Sequence, residues 1–128
     1  MGPHRFEGRN GIDASVLEAL NRFARALNLA YDGRVRRLMV FGSRARGEAA
    51  PDSDIDVAVV LDRMSGRRYD ERMRMTDLAY EILLDTGLRI QAWPISRAEW
   101  DGGEPHPNPT LLGNIRRDAV EIGAPVAA

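Results

Sequence analysis

Apolar residues recur every three to four positions in three parts of the chain, and this spacing predicts three helices. The first helix runs through residues 16–27, behind a possible N-cap at Asp13 or Ser15. The second covers roughly residues 67–85, and the third covers residues 109–122, behind a proline that suits a first helical turn. The chain is thus predicted to have a helix near each end and one in the middle.

Three shorter apolar runs predict strands, at residues 35–41, 54–61 and 88–95. Gly42 ends the first run and leaves room for a turn or a short helix before the second. The predicted order is helix, strand, turn or short helix, strand, helix, strand, helix, without repeats. This order is typical of an α/β domain with a small mixed sheet flanked by helices.

The length of 128 residues suits one domain, because it allows a substantial core but not two. We expect residues 1–11, which show no periodicity, to form a flexible N-terminal tail ahead of a domain over residues 12–123. No apolar run is long enough to span a bilayer, and the first residues lack the apolar stretch of an export signal. The expected location is therefore cytoplasmic, without a membrane partner.

Charge and cysteine content exclude several kinds of chemistry. The absence of cysteine removes disulfides, thiolate catalysis and cysteine-based zinc sites. The net charge of −1 gives no general attraction to nucleic acid, so direct nucleic-acid binding is not expected. All 18 basic residues are arginine, which leaves arginine as the side-chain cation available for any phosphate group.

The first candidate chemical feature is the turn after the first predicted strand. Gly42 lets the backbone turn sharply and leaves space for a ligand. If residues 43–46 begin a short helix, their first amide groups favour an anion, and the Ser43 hydroxyl adds a donor. Arg44 and Arg46 could neutralise a triphosphate. An ordinary turn with surface arginines would give the same residues, so this segment needs support from elsewhere.

The second feature is a pair of carboxylates at the start of the strand predicted over residues 54–61. Residues two apart on a strand point to one face, so Asp54 and Asp56 can converge on one or two metal ions. The apolar residues that continue this face bring the pair to the edge of a buried region, where two like charges are destabilising without a cation. A turn that merely ends in two aspartates is the alternative for this motif taken alone.

Together, the two features resemble the minimal nucleotidyltransferase group of the DNA polymerase beta-like nucleotidyltransferase superfamily. The signature of that group is an apolar strand, a Gly-Ser turn and an Asp-x-Asp pair on the next strand. In this chain the signature reads Val40-Phe41-Gly42-Ser43, followed by Ser53-Asp54-Ile55-Asp56. The resemblance extends over roughly residues 13–122 and implies the polymerase beta-like fold.

The resemblance also implies a site and a reaction. Gly42 and Ser43 would hold the distal phosphates of a nucleoside triphosphate, with ATP as the expected nucleotide and the two nearby arginines as further ligands. Asp54 and Asp56 would be the catalytic carboxylates, binding Mg²⁺ in a two-metal arrangement that stabilises in-line attack on the α-phosphate. The reaction would transfer a nucleoside monophosphate to a hydroxyl and release pyrophosphate.

One position departs from the family pattern. Active members usually carry a third carboxylate on the third strand, as a metal ligand or as the base that takes the proton of the attacking hydroxyl. The position that aligns best is Gln91, whose neutral amide cannot act as a base and is a poor Mg²⁺ ligand. Glu99 or Asp101, just after that strand, could substitute. The change favours nucleotide binding with weak or absent catalysis.

Two functions are consistent with these residues. The first is an enzyme that transfers a nucleoside monophosphate to a hydroxyl of a protein or a small molecule. The alternative is a catalytically weak or inactive, antitoxin-like partner of a HEPN-domain ribonuclease, as in the two-gene modules where this family is often found. A small single domain offers no separate acceptor site, so a HEPN-type partner protein or a second copy is expected to supply it.

Other conspicuous residues are given ordinary roles. The arginines of the middle helix, such as Arg68 and Arg72, alternate with acidic residues, which predicts a solvated, salt-bridged helix face. Trp93 and Trp100 could stack on a base, but packing in the core or at its edge is the expected role.

Overall fold

A computed structural model describes residues 12–122 of the chain. The predicted tail over residues 1–11 and the last predicted domain residue, Gly123, lie outside these described residues. The elements in chain order are α1 (Ala14–Ala30), β1 (Val35–Phe41), α2 (Ser43–Arg46), β2 (Ile55–Leu61), α3 (Arg68–Thr86), β3 (Ile90–Ser96), α4 (Arg97–Asp101), α5 (Pro109–Asp118) and β4 (Val120–Glu121). In this part of the chain, no helix combines the length and apolar character needed to cross a bilayer.

The four strands of the described residues form one mixed sheet in the order β3-β2-β1-β4. β1 runs antiparallel to both β2 and β4, whereas β2 and β3 are parallel. Helix α3 connects the parallel pair, as a parallel connection requires a crossover of this kind. The predicted α/β class, with a small mixed sheet flanked by helices, is confirmed.

The two faces of the sheet carry separate apolar cores. Side chains alternate along β2, so that Val57 belongs to the core beneath α1 and α3, whereas Ala58 belongs to the core on the opposite face. Helix α5 covers that second face with Ile115, and Trp93 and Trp100 pack at its margin. The expected packing role of both tryptophans is therefore confirmed.

Two helix ends show the capping contacts that their residue types favour. Asp13 is the N-cap of α1, where its side chain accepts a hydrogen bond from the Val16 amide at 3.0 Å. Gly87 ends α3 with a φ of 75°, and its amide donates to the Leu83 carbonyl at 2.8 Å.

The last helix is shorter than the sequence pattern predicts. Helix α5 ends at Asp118 instead of continuing to Ile122, because Ala119 takes an extended backbone conformation. The chain then forms β4, and the Ile122 amide donates to the Leu38 carbonyl of β1 at 3.0 Å. This short strand supplies backbone partners to the edge of β1, a gain that the spacing of apolar residues does not reveal.

Smaller differences concern the strand ends and one additional helix. β2 begins at Ile55, so Asp54 lies immediately before the strand, and β3 begins and ends slightly later than predicted. Helix α4 is not indicated by apolar spacing. It is stabilised by a capping box, in which the Ser96 hydroxyl accepts from the Glu99 amide and the Glu99 carboxylate accepts from the Ser96 amide.

Candidate nucleotide and metal site

Gly42 joins β1 to α2 in a conformation that glycine alone adopts readily. Its φ of 78° and ψ of −155° lie in a region that costs other residues about 1–3 kcal/mol. A Cβ atom at this position would lie 2.7 Å from Oδ2 of Asp56. Phe41 pairs with Asp56 in the β1–β2 ladder. The backbone of Gly42, which has no side chain, therefore lies directly against the Asp56 carboxylate of the neighbouring strand.

The short helix α2 begins at Ser43, directly after this turn. Its first backbone hydrogen bond runs from the Arg46 amide to the Gly42 carbonyl at 3.1 Å. The amides of residues 43–45 therefore have no acceptor inside the helix. These amides and the Ser43 hydroxyl are donors that a phosphate group could use, and they follow immediately on the glycine that contacts Asp56.

Arg44 holds the loop that leads from α2 to β2. Its side chain is buried, and Nη2 donates to the Ser53 carbonyl at 2.7 Å and to the Pro51 carbonyl at 3.2 Å. These bonds anchor the backbone just before Asp54, which places that carboxylate at the start of β2. A contact between Arg44 and a phosphate group stays a prediction.

Arg46 is partly exposed and takes part in an ion-pair network. Its Nε lies 2.9 Å from Glu48, and its Nη1 lies 2.9 Å from Asp118 at the end of α5. Hydrogen bonds from Arg117 and then from Arg46 lower the pKa of Asp118. Arg46 also adds positive potential at Asp56, so it lies close enough to influence an anion there. Its phosphate contact likewise stays a prediction.

Asp54 and Asp56 flank the first residue of β2 and repel each other electrostatically. Burial is the main reason that the pKa of Asp56 is raised, and the charge of Asp54 adds to the shift. Trp93 and the cations Arg72 and Arg46 oppose this shift without cancelling it. A bound cation would relieve both the burial cost and the repulsion, so the pair favours metal binding.

Gln91 lies beside the aspartates, at the place expected for a third carboxylate. It pairs with Asp56 in the β2–β3 ladder, and its Nε2 donates to Oδ2 of Asp54 at 2.7 Å. On the other side, Nε of Arg89 lies 3.7 Å from Oδ1 of Asp54. Both oxygens of Asp54 therefore have protein partners, which a metal ion would have to share or displace.

The two acids that could replace the third carboxylate have other partners. Glu99 is buried: its Oε1 accepts from the Ser96 amide at 2.9 Å, and its Oε2 pairs with Arg68. Asp101 is exposed at the end of α4, where it lies 3.8 Å from Arg97. Glu99 thus caps and braces α4, and each of its carboxylate oxygens already has a partner there.

Two residues near Asp56 have positions that the sequence pattern does not indicate. The guanidinium carbon of Arg72 lies 3.6 Å from the centroid of the Trp93 ring, a cation–π contact. The buried Nε1 of Trp93 has no hydrogen bond of good geometry among the described residues, yet it lies close enough to Asp56 to lower its pKa. The face of α3 is therefore not simply solvated, as Arg72 reaches the site and Glu71 is buried.

The donor set fits a metal ion that binds together with a nucleotide. Mg²⁺ is commonly held by one or two carboxylates and by substrate phosphates, which matches Asp54 and Asp56 beside the Gly42 turn. Over residues 12–122, no three acidic or histidine side chains come together as a group that could hold a metal ion. A metal ion on this carboxylate pair would therefore need further ligands, such as phosphate oxygens or water.

A cleft of about 190 Å³ opens beside Asp54, between the loop before β2 and the C-terminal end of α3. It is lined by Pro51, Asp52, Ser53, Asp54, Leu83, Gly87, Leu88 and Arg89. The cleft leaves Asp54 accessible from the edge of the sheet, so a group of a second molecule can approach it.

The structure thus sets a Gly-Ser turn against two carboxylates at one end of a mixed sheet, in an α/β protein. Residues 19–120 match the nucleotidyltransferase domain family. This match covers most of the chain and contains the Gly-Ser turn, both aspartates and Gln91. The chain therefore belongs to the nucleotidyltransferase domain family, as the resemblance of its signature implies.

Two proteins of Methanocaldococcus jannaschii are related to the chain. The protein named "Putative protein adenylyltransferase MJ0604" is 36% identical over 75 residues, which are 59% of this chain and 68% of that protein. The protein named "Putative protein adenylyltransferase MJ1379" is 30% identical over 77 residues, which are 60% of this chain and 72% of that protein. Both names attribute protein adenylylation to the relatives themselves.

Two solved structures share the fold. The structure of "a putative nucleotidyltransferase from Sulfolobus solfataricus" has a TM-score of 0.57 at 19% identity, and covers 92% of this chain and 90% of that one. A toxin-antitoxin structure with AMP-PNP has a TM-score of 0.56 at 15% identity, and covers 81% of this chain and 72% of that one. At these identities the likeness shows the fold alone, and it confirms the expected nucleotidyltransferase fold.

Proposed function

We propose that the protein binds Mg²⁺ together with a nucleoside triphosphate, ATP being the expected one, and transfers the nucleoside monophosphate to a hydroxyl of a partner protein. One observation carries the proposal: a Cβ atom at Gly42 would lie 2.7 Å from Oδ2 of Asp56. The turn suited to phosphate and the carboxylate suited to metal are therefore in direct contact, as a metal–triphosphate complex requires.

Each part of this substrate has a matching group in the chain. The amides of residues 43–45 and the Ser43 hydroxyl would donate to the distal phosphates. Asp54 and Asp56 would hold Mg²⁺, which when bound neutralises phosphate charge and favours in-line attack on the α-phosphorus. Arg46, whose ion pair with Glu48 is exposed and therefore weak, would add a positive charge near the phosphates.

The missing third carboxylate affects the proton of the acceptor. In the transfer, the acceptor oxygen bonds to the α-phosphorus while the bond to the pyrophosphate leaving group breaks. The hydroxyl proton must also leave, and the Gln91 amide cannot accept it, so Asp54 or a water molecule would do so. We expect transfer to be slower by ~10²–10⁴-fold than with a carboxylate at this position. The two-metal arrangement that the resemblance implies would have Asp54 and Asp56 as its carboxylate ligands, without a third carboxylate at position 91.

The proposed acceptor is a protein hydroxyl for two reasons. The related M. jannaschii proteins are named for protein adenylylation. In addition, the cleft beside Asp54 is open at the edge of the sheet, where a side chain of another protein could enter.

Transfer is tested with ATP labelled at the α-phosphate, Mg²⁺ and candidate acceptor proteins, a HEPN-domain ribonuclease among them. We expect label on the acceptor and release of pyrophosphate, and no label from ATP labelled at the γ-phosphate. The double variant Asp54→Asn with Asp56→Asn should lose the transfer, whereas Asp32→Asn, an exposed residue in the turn before β1, should keep it. Labelling from the γ-phosphate would contradict the proposal.

A second candidate function is supported by the bond between Gln91 and Asp54. A carboxylate already engaged by an amide and facing Arg89 suits a protein that binds nucleotide but catalyses weakly, such as an antitoxin-like partner of a HEPN-domain ribonuclease. Co-expression with such a ribonuclease distinguishes the two functions. If the Asp54→Asn, Asp56→Asn variant still neutralises the ribonuclease, contact between the two proteins is sufficient. If neutralisation is lost, label from the α-phosphate on the ribonuclease neutralised by wild type indicates transfer, and absence of that label indicates that nucleotide binding is enough.

A further inference from the structure

The guanidinium group of Arg72 in α3 is fixed by stacking on an aromatic ring. Its central carbon lies 3.6 Å from the centroid of the Trp93 ring, well within the range of a cation–π contact. A stacked guanidinium group uses its flat face for the ring and keeps the five N–H donors along its edge for other partners. Among the described residues, no group accepts a hydrogen bond from these donors, and no carboxylate forms an ion pair with them.

The other two arginines of α3 have structural partners. Arg68 donates to the Pro94 carbonyl at 2.7 Å and pairs with the buried Glu99. Arg74 donates to a backbone carbonyl at the end of α1. These contacts join α3 to β3, α4 and α1. Within the described part of the chain, Arg72 differs from both in having no hydrogen-bonding partner for its charge.

Arg72 reaches the face of the sheet that carries Asp56. β3 is the last strand on the side of β2, and α3 packs on the opposite face of the sheet. Gln91 of β3 pairs with Asp56, and Trp93 follows two residues later on the same face. The Arg72 side chain therefore passes round the outer edge of β3 to lie over Trp93. Its charge there opposes the rise in the pKa of Asp56 that burial causes.

Two arginines thus lie on opposite sides of Asp56. Arg46, at the end of α2, lies on the side of the Gly42 turn, where its amide donates to the Gly42 carbonyl at 3.1 Å. Arg72 lies on the side of β3. A triphosphate with its distal phosphates on the Gly42 turn and its metal ion on Asp56 extends across β2. Because neighbouring strands are only about 4.8 Å apart, its α-phosphate then lies towards β3 and Arg72.

We propose that Arg72 binds the α-phosphate of the nucleotide during transfer, and that Trp93 positions the guanidinium group for this role. The inference rests on the proposed function, since it adds a residue to the same nucleotide site. In the transfer, the acceptor oxygen bonds to the α-phosphorus, pyrophosphate leaves with the electron pair of the broken bond, and the hydroxyl proton passes to Asp54 or to water. Arg72 gives up no proton. Its planar fork fits two oxygens of the α-phosphate and stabilises their negative charge.

The first test compares two ligands by calorimetric titration with Mg²⁺ present: ATP, and pyrophosphate, which lacks the α-phosphate. We expect Arg72→Met to weaken ATP binding by about 10–100-fold, the effect of losing a charged hydrogen bond, and to leave pyrophosphate binding unchanged. Arg25→Met is the matched control and should bind both ligands like wild type. Arg25 is exposed on α1, which packs on the other face of the sheet.

The outcomes separate this inference from the proposed function. If wild type binds ATP and Arg72→Met binds it equally well, the role of Arg72 is overturned and the proposed function stands. If Arg72→Met weakens ATP and pyrophosphate binding equally, the assignment to the α-phosphate is overturned. A wild-type protein that binds neither ligand would contradict the proposed function itself, and this inference with it.

The second test separates the planar fork and the stack from the charge. Arg72→Lys keeps the charge but loses the fork, so we expect it to bind ATP little better than Arg72→Met. Trp93→Phe retains a ring under the guanidinium group and should keep most of the ATP binding, whereas Trp93→Leu should lose it. Adding Arg72→Met to Trp93→Leu should then cause little further loss. Full ATP binding by folded Trp93→Leu, with folding checked by urea unfolding, would overturn the positioning role of Trp93.

Discussion

The hydrogen bond between Gln91 and Asp54 joins the residue that departs from the family signature to one that follows it. With glutamine, the amide donates to the carboxylate and compensates part of its charge without a metal ion. With aspartate at the same position, two carboxylates would face each other and require a cation. Compared with aspartate, glutamine at position 91 is therefore expected to lower the metal affinity and the basicity of the site and to stabilise the protein without metal.

The comparison of the two side chains leads to a prediction for Gln91→Asp. We expect transfer to rise by up to ~10²–10⁴-fold, because the new carboxylate can accept the proton of the attacking hydroxyl. The variant should melt at a lower temperature than wild type without Mg²⁺ and recover when Mg²⁺ and ATP are added. Gln91→Asn serves as the control and should show neither effect. Brisk transfer by wild type together with a harmless Gln91→Ala change would contradict the role given to this position.

A second prediction concerns Asp56. Burial raises its pKa, so the folded chain binds this proton more tightly than the unfolded chain does. Stability from this group therefore falls as the pH rises between the unfolded and the folded pKa, and the charged form is destabilising at neutral pH. Without metal, Asp56→Asn should be more stable than wild type at pH 7, with a gain that shrinks as the pH falls towards ~4. Urea unfolding across this range checks the prediction, and a gain independent of pH would refute it.

The chemistry of single residues could be predicted from the sequence where it depends on neighbours along the chain. The Gly42 turn and the alternation that puts Asp54 and Asp56 on one side are local properties of this kind. The burial of Arg44 and the contact of Arg72 with Trp93 depend instead on how α2, α3 and the sheet pack. Sequence patterns do not contain that information, so they predict Arg44 beside phosphate and Arg72 on a solvated helix face.

At the scale of elements, the loop between α2 and β2 is positioned by one buried arginine. Arg44→Met should lower the free energy of unfolding by about 1–3 kcal/mol, because the carbonyls of Ser53 and Pro51 lose a charged donor. Arg46→Met, in a partly exposed ion-pair network, should lower the free energy of unfolding much less. Urea unfolding of both variants measures the difference, and equal losses would show that Arg44 does not brace the loop.

The elements themselves were predictable where one strong local signal marks them. Apolar spacing, the Asp13 cap and the Gly42 break indicate α1 and β1 directly. The end of α5 was not predictable in the same way, since Ala119 leaves the helix to let β4 pair with β1. That pairing is a tertiary contact, and the helical spacing that continues to Ile122 is no guide to it.

At the scale of the whole molecule, the order of the strands brings the site together. β2 lies between β1 and β3, and the end of antiparallel β1 meets the beginnings of both β2 and β3. The turn at Gly42, the pair Asp54 and Asp56, and Gln91 come from these three strand ends. Residues that are far apart in sequence thus form one site at one end of the sheet.

The most direct test of this account is calorimetric titration of ATP into the protein, with Mg²⁺ and with a chelator. We predict that wild type and Asp32→Asn bind ATP only when Mg²⁺ is present. The folded double variant Asp54→Asn with Asp56→Asn should not bind under either condition, because it lacks the carboxylates that hold the metal–triphosphate complex. Binding of equal strength in the wild type and the double variant would contradict the assignment of the site.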